Sequence, residues 1–297
     1  MLASQVAEFL LGAGRRRFLD ATAGGGGHIA ALLAAAKEPI EIVGIDLDYD
    51  AVERCMKRFS DVPGVVIMHG DFSRLKQNQY ISSANRFDGV VGDFGQSSDQ
   101  LDQPDRGMSF RWDAPIDMRF DQTNGPTGAD VINQVDFNEL VKIFGVYGGE
   151  RRAAHIARAV FRARPLKTTG ELANVIRRAA PGQFLQKTLS RCFMGLRVAV
   201  NREMEALERF LPDSLDLLNS NGRLAALYYD GSQGSIIKEF FRSRAEPCIC
   251  PPQLPVCVCG RKPDIKILTP HPVKPSPEEI AANPRSRSCR MRVCQKL

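Results

Sequence analysis

The sequence predicts an α/β fold in which helices cover a parallel sheet and a small helical domain is inserted into the chain. Short apolar segments alternate with helical segments over the first part of the chain, as in a parallel sheet with crossover helices. The strand candidates are residues 17–21, 41–46, 65–68, 87–93 and 223–229. About 130 residues separate the last two candidates, far more than a simple connection needs. A further domain is therefore expected between them.

The inserted domain is expected to be mostly helical and to recognise the substrate. Residues 137–211 have helical periodicity and few strand-forming residues. We therefore assign residues 1–103 and 212–297 to the sheet domain and residues 104–211 to the insert.

Composition and charge limit the classes of protein that the chain can form. Its 297 residues, 43% of them hydrophobic, can bury a sizeable core. The net charge of +6 conceals arginine clusters at 151–178 and 285–292. Such clusters suit a polyanion such as RNA, although each could also be a solvated surface. No segment reaches the ~18 apolar residues of a membrane span, and the first residues lack a signal-peptide pattern. A soluble, cytoplasmic protein is expected.

The run from Phe18 to His28, Phe-Leu-Asp-Ala-Thr-Ala-Gly-Gly-Gly-Gly-His, places a carboxylate beside a glycine turn. Glycines at a strand-to-helix turn let the backbone approach a nucleotide-like ligand, although they also occur in simple tight turns. Asp20 would repel a pyrophosphate but attract the ammonium and sulfonium groups of S-adenosylmethionine. Asp46 follows Gly24 at close to the ~20 residues expected of a carboxylate that binds ribose hydroxyls. These features together predict S-adenosylmethionine as the cofactor.

Asp93 ends the fourth strand candidate at the carboxyl edge of the sheet, where open α/β sheets bind ligands. Three polar segments follow it, at residues 94–102, 106–111 and 114–121. They resemble the signature of the bacterial small-subunit rRNA cytosine-N4 methyltransferases of the MraW/RsmH type. That signature combines Asp-Leu-Gly-Val-Ser-Ser, Gln-Leu-Asp and Pro-Leu-Asp-Met-Arg-Met-Asp.

The resemblance extends over nearly the whole chain, with two departures that mark a divergent member. The further matching segments are residues 147–151, 156–160, 196–201 and 283–288. Tyr228–Gly234 stands where the family usually has Phe-His-Ser-Leu-Glu-Asp-Arg, and Cys192–Arg197 where it has Thr-Phe-Gln-Ala-Leu-Arg.

The resemblance implies a Rossmann-like methyltransferase that transfers a methyl group from S-adenosylmethionine to the exocyclic N4 of a cytosine. Its partner would be ribosomal RNA or the assembling small ribosomal subunit. A different RNA or small-molecule acceptor and a non-catalytic S-adenosylmethionine-binding and RNA-binding paralogue remain alternatives. The oligomeric state is open, a homodimer included. The expected cofactor-binding residues are Asp20, Gly26, Gly27, His28, Asp46, Phe72, Asp93 and Gln100.

Direct transfer to a cytosine amino group needs a group that accepts its N–H hydrogen bonds as positive charge develops. We assign this catalytic role to Asp93 with Ser97, while a purely cofactor-binding Asp93 remains the alternative. RNA contacts are expected from arginines of the insert. These residues are Arg106, Arg119, Arg151, Arg152, Arg158 and Arg197.

Four of the eight cysteines lie close together near the C-terminus, at Cys248, Cys250, Cys257 and Cys259. Thiolates paired across a turn can bind zinc, but zinc knuckles prefer two or more residues between paired cysteines. We therefore predict reduced structural cysteines and no metal.

Overall fold

The computed structural model describes residues 1–12, 14–83, 86–251, 256 and 258–297. The chain divides into two compact units. The sheet unit contains Met1–Gly95 and Glu205–Leu297, and the helical unit contains Gln96–Met204. The two boundaries between the units fall eight and seven residues before those expected from the sequence.

A seven-stranded sheet forms the centre of the sheet unit, with the strand order β3-β2-β1-β4-β5-β7-β6. The first five strands run parallel to one another, and β7 runs antiparallel to both β5 and β6. The predicted α/β class is confirmed. The strands are β1 (Arg17–Asp20), β2 (Glu41–Asp46), β3 (Val65–His69), β4 (Phe87–Asp93), β5 (Leu218–Tyr228), β6 (Ile265–Ile267) and β7 (Arg290–Lys296).

Helices occupy about half of the remaining chain. The first four belong to the sheet unit, the next six to the helical unit, the eleventh continues from the helical into the sheet unit, and the last two belong to the sheet unit. They are α1 (Ala3–Leu10), α2 (Gly27–Ala35), α3 (Tyr49–Arg58), α4 (Gln79–Ser83), α5 (Ser98–Asp102), α6 (Gly128–Gln134), α7 (Phe137–Lys142), α8 (Ala153–Ala163), α9 (Thr169–Ala179), α10 (Leu185–Asn201), α11 (Glu203–Leu217), α12 (Gly231–Ala245) and α13 (Pro277–Ala282).

Both faces of the sheet are buried, because neighbouring strand residues point to opposite sides. Leu19 and Val90 pack in one apolar cluster, while the adjacent Phe18 and Val91 pack in another. Strands buried on both faces are continuously apolar, which explains why the sequence reveals the parallel strands so clearly.

The C-terminal arginine cluster lies partly in this sheet, and its suitability for a polyanion stays a prediction. Residues 290–296 form β7, and Met291 and Val293 are fully buried. The arginines at positions 290 and 292 alternate with these apolar residues, as expected for a strand. Their positive charge obscured the alternation in the sequence.

The helical unit has its own apolar core, to which α6 to α10 contribute. Capping boxes begin two of its helices. The Thr127 hydroxyl accepts a hydrogen bond from the N–H of Asp130 at the start of α6, and Thr168 accepts one from Glu171 at the start of α9. Among the helices that the structure describes, none is long and apolar enough to cross a membrane.

Candidate active site

The turn between β1 and α2 is built from four glycines, two of them in the left-handed region. Gly24 has a φ of +50° and Gly26 a φ of +74°. A Cβ on Gly26 would lie 2.4 Å from Cε2 of Phe59, so this position also needs glycine for space. A Cβ on Gly25 or Gly27 would meet nothing within 4 Å. The turn is thus packed at Gly26 and open at its neighbours, where a ligand can approach the backbone.

Helix α3 supports this turn through two side chains. The Cys55 thiol donates a hydrogen bond to the carbonyl oxygen of Gly24 at 3.1 Å, and the Arg58 guanidinium donates to the carbonyl oxygen of Gly25. Burial raises the pKa of Cys55 to about 11, which keeps the thiol protonated as a donor. Cys55 therefore has a structural function.

Asp20, the last residue of β1, is fully buried with one unpartnered oxygen. Its Oδ1 accepts a hydrogen bond from the N–H of Thr22 at 3.1 Å, and its Oδ2 has no hydrogen-bond partner within the described residues. Burial raises the pKa of Asp20 to about 6, although the nearby His28 works in the opposite direction. A buried carboxyl with an unpartnered oxygen suits a cationic ligand.

Asp46, the last residue of β2, fastens the glycine turn to the sheet. Its Oδ2 accepts a hydrogen bond from the N–H of Gly24 at 2.7 Å, and its Oδ1 accepts one from Asp48 at 2.9 Å. Burial raises its pKa despite these two hydrogen bonds. Each carboxylate oxygen can accept more than one hydrogen bond, so Asp46 can both hold the turn and accept from ribose hydroxyls.

Asp93, the last residue of β4, lies between a histidine and a tyrosine. The Tyr229 hydroxyl donates a hydrogen bond to Oδ1 at 2.7 Å, and Nε2 of His28 lies 3.3 Å from Oδ2. The backbone N–H of Asp93 donates to the Thr22 hydroxyl at 2.7 Å. The carboxylate is therefore held by contacts to residues that are distant in the sequence.

These contacts keep Asp93 ionised. Burial works to raise its pKa, but hydrogen bonding to His28, the charge of His28 and the hydrogen bond from Tyr229 together hold the pKa below its ordinary value. Burial and the adjacent carboxylate raise the pKa of Tyr229, so its phenol keeps its proton. The pair is thus a neutral donor and a negatively charged acceptor at neutral pH.

Phe72 follows β3, at the start of the 3₁₀ segment Phe72–Gln77, and packs among aromatic residues. Its ring centroid lies 5.5 Å from that of Phe94 and 5.8 Å from that of Phe210. It is partly buried, and its predicted contact with adenine stays a prediction.

Ser97 and Gln100 lie in the helical unit and form the capping box of α5. The Ser97 hydroxyl accepts a hydrogen bond from the N–H of Gln100 at 3.1 Å, and Oε1 of Gln100 accepts one from the N–H of Ser97 at 2.9 Å. These hydrogen bonds give both side chains a role in starting the helix. Their catalytic and cofactor-binding roles remain predictions.

Two of the predicted RNA-binding arginines are buried, which corrects their assignment. Arg106 is 2% exposed and donates to the carbonyl oxygens of Arg119 and Phe120, both at 3.0 Å. Arg197 is 7% exposed and forms a two-pronged ion pair with Glu203, at 2.6 and 3.0 Å. Both guanidinium groups stabilise the helical unit and are not accessible to a phosphate.

Arg119 is also engaged within the helical unit. It pairs with both carboxylate oxygens of Asp117, at 2.9 and 2.7 Å. Arg151, Arg152 and Arg158 are exposed, and Arg152 lies 3.8 Å from a carboxylate oxygen of Glu150. These three residues are the members of the predicted RNA-binding set that remain available at the surface.

Sequence reasoning missed Tyr229 and Thr22, which position Asp93. Tyr229 lies in the segment that departs from the family pattern. That departure was the one feature of the sequence that could have drawn attention to Tyr229. Nothing local to Asp93 indicates a partner 136 residues away.

The geometry fits a ligand that carries a cation and a ribose. The unpartnered oxygen of buried Asp20, the open face of the glycine turn and the Asp46 carboxylate provide the complementary groups. The sheet order and this site together define an S-adenosylmethionine-dependent methyltransferase. Residues 1–297 match the profile of the MraW methylase family, and the chain belongs to that family. The resemblance identified from the motifs is confirmed.

The relatives cover almost the full length of the chain. The ribosomal RNA small subunit methyltransferase H of Thermomicrobium roseum is 40% identical over 302 residues, covering 100% of this chain and 93% of that protein. The protein of the same name from Syntrophotalea carbinolica is 41% identical over 287 residues, which cover 94% of this chain and 91% of the relative. The one from Clostridium botulinum is 37% identical over 285 residues, covering 94% and 92%.

Proposed function

We propose that this methyltransferase modifies the exocyclic N4 of a cytosine in small-subunit ribosomal RNA. Family membership and the names of its relatives support the RNA class. The observation that carries the chemistry is the ionised carboxylate of Asp93 at the carboxyl end of β4, held by Tyr229 and His28.

The acceptor amino group is a weak nucleophile, because its lone pair is delocalised into the pyrimidine ring. S-adenosylmethionine supplies an electrophilic methyl group. The protein must therefore hold the amine in line and stabilise the positive charge that develops on its nitrogen. Asp93 suits this task, because it is negatively charged and accepts hydrogen bonds.

Tyr229 and His28 position the Asp93 carboxylate. Each contacts a different oxygen, which fixes the orientation of the carboxylate plane. The phenol stays neutral and therefore does not cancel the charge on Asp93. Each carboxylate oxygen keeps acceptor capacity for an incoming N–H.

The helical unit supports an RNA acceptor through the exposed face of α8. His155, Arg158 and Arg162 follow one another at spacings of three and four residues and are exposed, so they share one face of the helix. Arg151 and Arg152 precede the helix, and the sequence of α8 contains no acidic residue. A basic surface of this kind binds phosphates, while a cytosine must be unstacked to be methylated.

The assembling small subunit is the partner that we propose, and the cytoplasm is the compartment in which the protein would meet it. A homodimer remains open.

The function is tested by incubating the full-length protein with small-subunit RNA or subunits and S-adenosylmethionine, then identifying the methylated nucleoside by mass spectrometry. We expect N4-methylcytidine. In Asp93→Asn the rate should fall about 10²–10³-fold, as for loss of one preorganised contact, with a smaller change in cofactor affinity. Asp61→Asn, at an exposed position of the sheet unit, is the control and should keep the wild-type rate.

Two results would contradict the proposal. A methyl group on a carbon atom or on another base would exclude the N4 acceptor. An equal loss of rate and of cofactor affinity in Asp93→Asn would make Asp93 a cofactor-binding residue only.

A further inference from the structure

Three cysteine thiols converge in the segment that joins α12 to β6. The sulfur atoms of Cys248, Cys250 and Cys259 all lie within 4.8 Å of one another. The Cys259 and Cys248 sulfurs are 3.9 Å apart. Two thiolates on one tetrahedral zinc ion, each at ≈ 2.3 Å, lie about 3.8 Å apart. The separation matches two ligands of a common metal ion and is far longer than a disulfide bond.

The backbone explains how cysteines with only one intervening residue can point to the same place. The chain bends at Cys250 and again at Cys259, so that it is not an extended strand with alternating side chains. Gly260 follows with a φ of +67°, a left-handed turn that glycine adopts without strain. The one-residue spacing, which argued against zinc in the sequence, is therefore compatible with a shared ligand site.

A backbone donor contacts one of the thiols, and two basic residues follow them in the sequence. The N–H of Val258 lies 3.4 Å from the Cys250 sulfur and donates to it. Arg261 and Lys262 follow Cys259 in the sequence and are exposed, which offsets the negative charge of three thiolates around a dication.

Hydrogen bonds between Arg244 and Asp264 join the chain before the three cysteines to the chain after them. The N–H of Asp264 donates to the carbonyl oxygen of Arg244 at 3.3 Å, and the Arg244 side chain bonds to the Asp264 carboxylate at 3.1 Å. A metal ion at the three sulfurs would link Cys248 and Cys250 to Cys259, and the exposed Ile249 and Val256 offer little core for folding.

We propose that Cys248, Cys250 and Cys259 bind a thiophilic divalent cation, with zinc as the best fit, and that the ion stabilises this loop. Soft thiolate ligands select zinc over magnesium or calcium. Three thiolates leave one position of a tetrahedral ion for a fourth ligand. The chain also carries Cys257, which lies outside the described residues, and the proposal rests on the three thiols that the structure describes.

The metal site has a structural role, because it lies away from the edge of the sheet that carries Asp93. Asp93 pairs with Leu227 near the end of β5. Ile265, which follows the cysteine segment, pairs with Lys296, and the Lys296 ammonium donates to the carbonyl oxygen of Leu218 at the start of β5. Loss of the ion should therefore affect loop order more than methyl transfer.

The test measures the metal content of the full-length protein by inductively coupled plasma mass spectrometry after purification under reducing conditions and incubation with zinc. We expect one zinc per chain in the wild type and its loss in the double variant Cys248→Ser with Cys259→Ser. Ile249→Ser is the matched control, because it changes an exposed residue of the same loop without removing a thiol. Cofactor affinity checks that each variant is folded.

A second measurement does not depend on any variant. Cobalt(II) added to the reduced, zinc-free wild type should produce thiolate-to-cobalt charge-transfer absorption and the intense visible bands of tetrahedral cobalt, and zinc should displace them. Reduced wild type that binds neither ion would overturn the proposal. So would equal zinc content in the double variant and the wild type.

Discussion

Asp20 combines burial, an unpartnered oxygen and a raised pKa in one carboxyl group. Its position at the end of a strand could be predicted from the apolar run and the glycines that follow it. The same reasoning placed Asp46 and Asp93 at strand ends, and the structure has all three there. The contact between the Tyr229 hydroxyl and Asp93 could not be predicted. Asp93 ends β4 and Tyr229 follows β5, so the inserted unit separates the two residues in the sequence.

The raised pKa predicts that S-adenosylmethionine binds more weakly as the pH falls below about 6. A cation requires the ionised form of Asp20, so a proton must leave before the ligand can bind. Below the pKa of about 6, affinity should fall by up to tenfold per pH unit. Calorimetry from pH 7 to pH 5 measures how the affinity for S-adenosylmethionine depends on pH. In Asp20→Asn, the plot of log affinity against pH should lose the slope, of up to one, that protonation of Asp20 produces. Identical slopes in the two proteins would exclude Asp20 as the titrating group.

The ligand-free protein should show the same pKa shift as a change in stability. The folded state holds the Asp20 proton up to about pH 6, whereas the unfolded chain releases it near 3.8. The contribution of Asp20 to the free energy of unfolding therefore falls by about 3 kcal/mol as the pH rises from 3.8 to about 6, and it stays lower at higher pH. Urea unfolding of the wild type and of Asp20→Asn at several pH values isolates this contribution, because the stability of the wild type relative to the variant should decrease over this pH range.

At the scale of elements, the strands that are buried on both faces are the ones that the sequence reveals. β6 and β7 escaped prediction because β6 has three residues and β7 interleaves arginines with its apolar side. The departing segment Tyr228–Gly234 proves to be a regular helix start, since the Asp230 side chain accepts from the N–H groups of Ser232 and Gln233. Its unusual residues therefore preserve α12 while providing Tyr229.

Helices α10 and α11 are joined by the buried pair of Arg197 and Glu203, which predicts a large effect of removing either charge. Arg197→Ala would remove the two charge-assisted hydrogen bonds to buried Glu203, at a cost of about 3–5 kcal/mol in the free energy of unfolding. Arg158→Ala, at an exposed position, is the control and should change stability by less than about 0.5 kcal/mol. Urea unfolding measures both. Unchanged stability of Arg197→Ala with weaker RNA binding would restore Arg197 to the RNA-binding set.

At the scale of the whole molecule, the proposed cofactor-binding carboxylates and the proposed RNA-binding arginines lie in different units, and each unit has its own core. The carboxylates Asp20, Asp46 and Asp93 belong to the sheet unit, and the exposed basic face of α8 belongs to the helical unit. The presence of an insert could be predicted from the long gap between strands. Which of its arginines are exposed could not, because burial depends on partners such as Asp117 and Glu203 that the helices bring into contact.

This separation predicts that RNA binding can be lost without loss of cofactor binding. Reversing the charges of Arg151, Arg152 and Arg158 to Glu should weaken RNA binding and flatten its salt dependence, because each lost phosphate contact removes about 0.7–0.9 from the slope of log K against log salt. Affinity for S-adenosylmethionine should be unchanged.

The control reverses three exposed lysines of the sheet unit, Lys37, Lys57 and Lys238, and so makes the same change in net charge. Filter binding at several salt concentrations compares the two. If both triple variants lose RNA affinity equally, overall charge accounts for the binding; if only the arginine variant loses it, the α8 face is the surface that holds the RNA.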